Sequence, residues 1–172
     1  DSSANLAFCA HFDEPVLALT IDYGQAAAKA EIAAAEKIAK QYKVKHQVLD
    51  LKWLGALGGS ALTGDGKIPT LKKEKLDDPK TTQESAKAVW VPNRNGLFIN
   101  AAASFAEVIG AHQVVVGFNK EEAATFPDNS TQFLNVTNLA LRYSTNAKVK
   151  IVCYTDMLDK TEIVLALARL PE

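Results

Sequence analysis

Residues 15–51 read "PVLALTIDYGQAAAKAEIAAAEKIAKQYKVKHQVLDL". The run Val16 to Ile21 is apolar and short, as in a buried strand, and it leaves into a loop at Asp22. An alanine-rich segment follows. Ala28, Ile32, Ala35, Ala39 and Tyr42 fall on one helical face, with Glu and Lys outside. "KHQVLDL" then reads as a second strand. A strand, a helix and another strand in this order predict two parallel neighbours joined by a crossover helix.

The rest of the chain repeats the alternation. "DSSANLAFCAHF" opens it as a helix, with Asp1, Ser2 and Ser3 as capping residue types. "GLFINAAASFAEVIGA" predicts a long helix with Leu97, Ala101, Phe105 and Val108 on its inner stripe and Gly110 at its C-terminus. "HQVVVGF" and "VKIVCYT" read as strands, and "STQFLNVTNLALRYS" as a helix that Ser130 can cap. In "DKTEIVLALAR", Asp159 and Glu162 have capping-box spacing. The expected class is α/β: one domain over residues 1–172, a parallel sheet with helices on both faces. Ligands of such sheets bind beyond the carboxyl ends of the strands. The stretch 55–88 breaks the pattern, being rich in Gly, Lys, Asp and Thr, and reads as a mobile loop or a substrate lid.

Composition narrows the partners. A net charge of −1 gives no broad electrostatic reason to expect nucleic acid. No apolar run approaches the roughly 20 residues that span a bilayer. Cys9 and Cys153 lie far apart in the sequence and form no C-x-x-C pair, so both are expected as reduced core thiols of a cytoplasmic protein.

Four stretches carry chemistry. In "VWVPNRNGLF", Pro92 ends an extended segment, and Arg94 and Asn95 begin a helix whose N-terminus favours an anion. Arg94 adds a bidentate donor for phosphate or carboxylate; the plainer alternative is a cap and a surface ion pair. "TIDYGQ" sets Asp22, Tyr23, Gly24 and Gln25 just past a strand, where they form a ligand-lining turn or an ordinary one. "NKEEAATFPDNS" brings Asn119, Glu121, Phe126, Pro127 and Asp128 into one connection, either a base-recognising surface or a solvated loop. Lys160 opens the last helix, against the helix dipole, which suits a bound anion nearby or a side chain in water.

Taken in order, "TIDYGQ", "VLDL", "VPNRNGLFINAAASFAEVIGA", "VVVGFN", "FPDNSTQF" and "DKTEIV" resemble the 7-cyano-7-deazaguanine synthase family of the N-type ATP pyrophosphatases. The resemblance runs over nearly the whole chain. It implies a Rossmann-like sheet of the adenine nucleotide alpha hydrolase kind. It also implies a phosphate loop S-G-G-x-D-S whose last two residues match Asp1 and Ser2, with a strand and glycines before them and a zinc-binding cysteine cluster after the present sequence. A parallel sheet without that first strand has an unpaired interior. The family's loop D-x-S-G-Y-P-D-C-R aligns with "EEAATFPDNS". Pro127 and Asp128 match, while Phe126, Asn129 and Ser130 stand for tyrosine, cysteine and arginine.

The implied activity is ATP-dependent conversion of 7-carboxy-7-deazaguanine and ammonia to the 7-cyano compound through an acyl-adenylate, in queuosine or archaeosine biosynthesis. Arg94 and Lys160 are expected to stabilise phosphate or adenylate. Asp1, Ser2, Asp22, Tyr23, Gly24, Gln25 and Asn95 are expected on ATP. Asn119, Glu121, Phe126, Pro127 and Asp128 are expected to face the deazaguanine. ATP, magnesium and zinc are the implied cofactors; the zinc ligands are not in this sequence. A homodimer is implied; a nucleic-acid or membrane partner is not. Two rivals stand beside this reading: an ATP pyrophosphatase adenylating another carboxylate or a tRNA base, and a non-catalytic nucleotide-binding relative.

Overall fold

The computed structural model describes residues 1–63 and 86–171. The elements follow the alternation read above: α1 (Ser2–Phe12), β1 (Leu17–Asp22), α2 (Ala28–Gln41), β2 (Lys45–Asp50), α3 (Lys52–Ala56), α4 (Arg94–Ile109), β3 (Gln113–Val115), α5 (Lys120–Ala123), α6 (Thr131–Ser144), β4 (Lys150–Val152) and α7 (Lys160–Leu167). A 3-10 turn over Pro127–Asn129 precedes α6. The short α3, α5 and the 3-10 turn lie where the sequence suggested loops. Each is at most five residues long, too short to show a helical period. The loop-or-lid reading of 55–88 rests mainly on residues 64–85, which lie outside the described residues.

Among the described residues all strand pairing is parallel, as expected for an α/β chain. The strands pair as two two-stranded sheets, β1 with β2 and β3 with β4. Leu17 faces Lys45 and Asp22 faces Asp50 in the first; Gln113 faces Lys150 in the second. The single sheet read from the alternation is thus two pairs, because no ladder joins β1 to β3 among the described residues.

The two pairs are covered unequally. α2 lies on β1–β2 through alanines, and of its residues only Ala39 is fully buried. The β3–β4 pair is clamped between α4 and α6 by Ile99, Ala103, Ala106, Phe118, Leu134, Leu141, Val149 and Ile151. Asn138 of α6 completes the cover. Its amide oxygen accepts from Ile151 N at 2.7 Å and its Nδ2 donates to Ile151 O at 2.9 Å, doing for β4 what a neighbouring strand would.

The inner stripe of α4 differs from the expected one. Asn95, Ile99, Ala103 and Ala106 are buried, while Val108 is exposed. The helix is apolar nearly all round, so hydrophobicity alone does not choose a face. Ala103 and Ala106 do, because small side chains let the helix approach the short strands closely. Leu97 and Phe98 serve a second cluster with Tyr23, Leu54 and Val91. The other helix ends are as read. Gly110 closes α4 with a left-handed φ of 74°, Ser130 caps α6, and Asp159 and Glu162 form a reciprocal capping box on α7.

α1 packs on α7 through Ala4, Phe8 and Ile163, backed by Tyr154 and Leu158. Asn5 ties this pair to the second sheet. Its Nδ2 donates to Thr155 Oγ1 at 2.6 Å and its Oδ1 accepts from Tyr154 N at 2.8 Å. Thr155 Oγ1 in turn donates to Phe118 O at 2.5 Å. Asn5 and Thr155 are almost fully buried, so the network fixes the loops after β3 and β4 against the start of α1. Of the two thiols, Cys9 is buried and Cys153 half-buried; both are free.

Candidate functional site

The expected site residues gather in two places. The first lies where the N-termini of α1 and α7 meet the loop after β3. Gly117 makes the approach possible: a Cβ there would stand 2.6 Å from Ser2 N and 2.7 Å from Ser2 Cα, so only glycine fits. Two residues on, the fully buried Asn119 donates from Nδ2 to Asp1 Oδ2 at 2.9 Å, and its Oδ1 caps α5 at Glu122 N, 2.8 Å. Asp1 is the N-cap of α1 by position, but its carboxylate is turned to Asn119 and makes no side-chain cap bond. Lys120 N donates to Leu158 O at 3.0 Å, and Lys160 N to Glu121 Oε1 at 3.4 Å. One anion at the start of α7 is the protein's own Glu121. Its carboxylate offsets the unfavourable position of Lys160, whose side chain is exposed.

The second place is built on the turn after β1 and the start of α4. Asp22, Tyr23 and Gln25 are buried. Asp22 Oδ1 accepts from Gly24 N at 3.0 Å, and Oδ2 pairs with Lys52 Nζ at 3.1 Å. The same ammonium reaches Asp50 at 2.7 Å, so Lys52 joins the ends of both strands. Its hydrogen bonds hold the Asp50 carboxyl below its usual range and push the Lys52 ammonium up. Gln25 Oε1 accepts from Tyr23 N at 3.0 Å and its Nε2 donates to Glu31 at 2.8 Å. Gly24, at φ +83°, supplies the left-handed step of the turn.

Arg94 lies over Tyr23, its guanidinium carbon 5.8 Å from the ring centroid, within cation–π reach. The residue before it, Asn93, has a φ of +52° and turns the chain sharply into α4. Buried Asn95 donates from Nδ2 to Asp128 O at 3.2 Å, which draws the Pro127–Asn129 turn onto the start of α4. Burial pushes the Asp128 carboxyl above its usual range; the charge of Arg94 and the amide of Asn95 act the other way. Next to it the rings of Phe126 and Trp90 stack at 6.4 Å between centroids, with 18° between their planes.

Asn119 and Glu121 thus serve the first place, and Phe126, Pro127 and Asp128 the second. The single connection 119–130 carries both. Trp90 and Lys52 were not singled out in the sequence. Trp90 stood beside the quoted "VPNRN", and an aromatic next to a ligand loop was its only signal. Lys52 had none, because Asp22 becomes its neighbour only through the parallel register.

Such an arrangement can hold anions at helix N-termini on one side and a flat polar group on the other. The sequence matches the family described as "Queuosine biosynthesis protein QueC" over residues 1–171. It is 49% identical over 164 residues to the 7-cyano-7-deazaguanine synthase of Desulforudis audaxviator, covering 95% of this chain and 74% of that one. It is 47% identical to that of Pelotomaculum thermopropionicum over 165 residues, 95% of this chain and 75% of the relative. It is 43% identical to that of Methanosarcina mazei over 168 residues, 95% and 73% of the two chains.

Proposed function

We propose, from the premise that this chain belongs to the queuosine biosynthesis protein QueC family, that it is an ATP-dependent ligase making 7-cyano-7-deazaguanine, the activity its relatives are named for. In the finer reading, the carboxylate of 7-carboxy-7-deazaguanine attacks the α-phosphate of ATP, and pyrophosphate leaves. Ammonia displaces AMP from the acyl carbon to give the amide. A second ATP activates the amide oxygen, and loss of that oxygen with AMP leaves the nitrile.

The observation that carries this reading is the bond from Asn95 to Asp128 O, which joins the family-like stretch "VPNRN" to the loop in which Pro127 and Asp128 match the family pattern. The step needs a carboxylate held in line with the α-phosphate and charge placed where the pyrophosphate leaves. Arg94 and Lys160 supply the cations in this reading. Asp1, Ser2 and the N-terminus of α1 take the phosphate end, with Asn119 fixing Asp1. Asp128 faces the donor edge of the deazaguanine, and Asn95 holds it there through the backbone. Asp22, Tyr23, Gly24 and Gln25 form the wall behind Arg94 rather than direct contacts, since the Asp22 carboxylate, the Gln25 amide and the N–H groups of Tyr23 and Gly24 are engaged with one another and with Lys52 and Glu31.

Among the described residues no three His, Cys, Asp or Glu side chains stand close enough to hold a metal ion. No described helix is long and apolar enough to cross a membrane. A cytoplasmic homodimer using ammonia belongs to the proposal by resemblance.

A second reading has one observation in its favour. Ser130 stands where the family pattern has arginine, and it is committed to the backbone: its hydroxyl caps Phe133 N at 3.2 Å and donates to Pro127 O at 2.7 Å. A different acceptor carboxylate would suit that change. Pyrophosphate release by the full-length protein with ATP and ammonium separates the two. Release that depends on 7-carboxy-7-deazaguanine supports the first reading; release only with another carboxylate or with tRNA rejects it.

A further inference from the structure

Trp90 meets Phe126 in the second place but has no role in the reaction described above. It precedes Val91, which is buried with Tyr23 and Leu54, so its backbone is anchored. Trp90 is 37% exposed, and its indole lies nearly parallel to the ring of Phe126. Phe126 is held in turn: its N donates to Glu122 O at 2.8 Å, and its O accepts from Asn129 N at 3.0 Å. Two near-parallel rings 6.4 Å apart, one of them on a partly exposed tryptophan, offer a surface for a flat ring system. Asp128 follows Phe126 by two residues and Asn95 follows Trp90 by five, and the bond from Asn95 Nδ2 to Asp128 O ties the two segments together.

We propose that Trp90, backed by Phe126, is a stacking shelf for the flat bicycle of the 7-deazapurine acceptor, and so a specificity-determining residue of the reaction. This rests on the reading of the chain as a 7-cyano-7-deazaguanine synthase. Two purine-like bicycles occur in that reaction, the acceptor and the adenine of ATP. The carboxyl of Asp128 decides between them. A guanine-type edge offers adjacent ring N–H and amino donors that a carboxylate accepts together. An adenine edge offers one amino group beside an acceptor. Phe126 acts through Trp90 and is a positioning residue.

The test uses the full-length protein carrying W53F. Trp53 is exposed on α3 and outside the site, so W53F keeps wild-type turnover and leaves Trp90 as the reporter in this segment. Binding is read by indole fluorescence with 7-deazaguanine as the probe and adenosine as the control. The shelf requires quenching by 7-deazaguanine at concentrations where adenosine has no effect. It also requires W90A to raise the KM for the acceptor by about tenfold, the scale of one stacked base, with the KM for ATP unchanged. W90F should recover most of that loss. F126L should give an intermediate loss, with a wider spread of the indole's fluorescence lifetimes. Quenching by adenosine instead, or an unchanged acceptor KM in both W90A and F126L, overturns the proposal. If W90A does not fold, W90F and F126L decide it by the same KM comparison. A wild type that binds 7-deazaguanine at Trp90 but releases no pyrophosphate with the 7-carboxy compound sinks the enzymatic reading and leaves the shelf standing.

Discussion

The turn after β1 and the turn over Pro127–Asn129 look alike in the sequence: each sets a carboxylate and an aromatic ring in a short polar connection. They are built to opposite ends. In the first, Tyr23 is buried and Asp22 and Gln25 are engaged by Gly24, Lys52, Tyr23 N and Glu31. In the second, the ring of Phe126 lies against an exposed indole, and the Asp128 carboxyl is desolvated beside Arg94. One turn holds itself and supports; the other is held by Asn95 and faces outward. Polar residues beyond a strand are therefore no guide to ligand contact until their own hydrogen bonds have been counted.

That contrast breaks first at Arg94, which lies over Tyr23 of one turn and whose charge acts on Asp128 of the other. Arg94→Ala should lower kcat/KM in pyrophosphate release by about a hundredfold or more, the scale of one lost charge-stabilising donor. A near-normal rate would remove Arg94 from the chemistry. The supporting turn should fail by stability instead. Gln25→Ala leaves Tyr23 N and Glu31 without their partner, and should cost about 1–3 kcal/mol of unfolding free energy in urea titration. A variant of wild-type stability with altered substrate KM would mean that Gln25 faces the ligand after all.

Smaller effects separate the turns by pH. Hydrogen bonds to Lys52 lower the Asp50 carboxyl, so this anchor contributes stability above the ordinary carboxylate range and loses it as pH falls through the depressed value. Lys52→Ala should flatten the acid limb of a Tm-against-pH curve, and added salt should shrink the difference. Asp128 is raised by burial, so its contribution has the other sign. It is present below the ordinary carboxylate range and lost as pH rises through the raised value. Asp128→Asn should flatten the curve on that side, with the smallest change in Tm of the set. Equal pH profiles for the two variants would erase the distinction between the turns.

Much of the architecture was legible because strands and long helices carry their own period. Ser130, Asp159 with Glu162, and Gly110 marked helix ends through chemistry that acts within four residues. The buried face of α4 was not legible. Leu97, Phe105 and Val108 make as good a stripe as Ile99, Ala103 and Ala106, and the choice depends on strands that approach from elsewhere in the chain. The same limit applies to the site. Arg94 and Asp128 could be nominated from motif and chemistry. The Asn119–Asp1 and Asn5–Thr155 bonds join residues more than a hundred positions apart, and Lys52 finds Asp22 only through the β1–β2 register. No local pattern announces such contacts.

The central claim is that the chain activates the acceptor's carboxylate on ATP. It is tested most directly by giving the full-length protein 7-carboxy-7-deazaguanine labelled with oxygen-18 in both carboxyl oxygens, with ATP and ammonium, and weighing the AMP. Activation through an acyl-adenylate predicts one labelled oxygen in each AMP and two labelled AMP molecules for every nitrile formed. AMP that carries no label, with its new oxygen taken from water, would contradict the account.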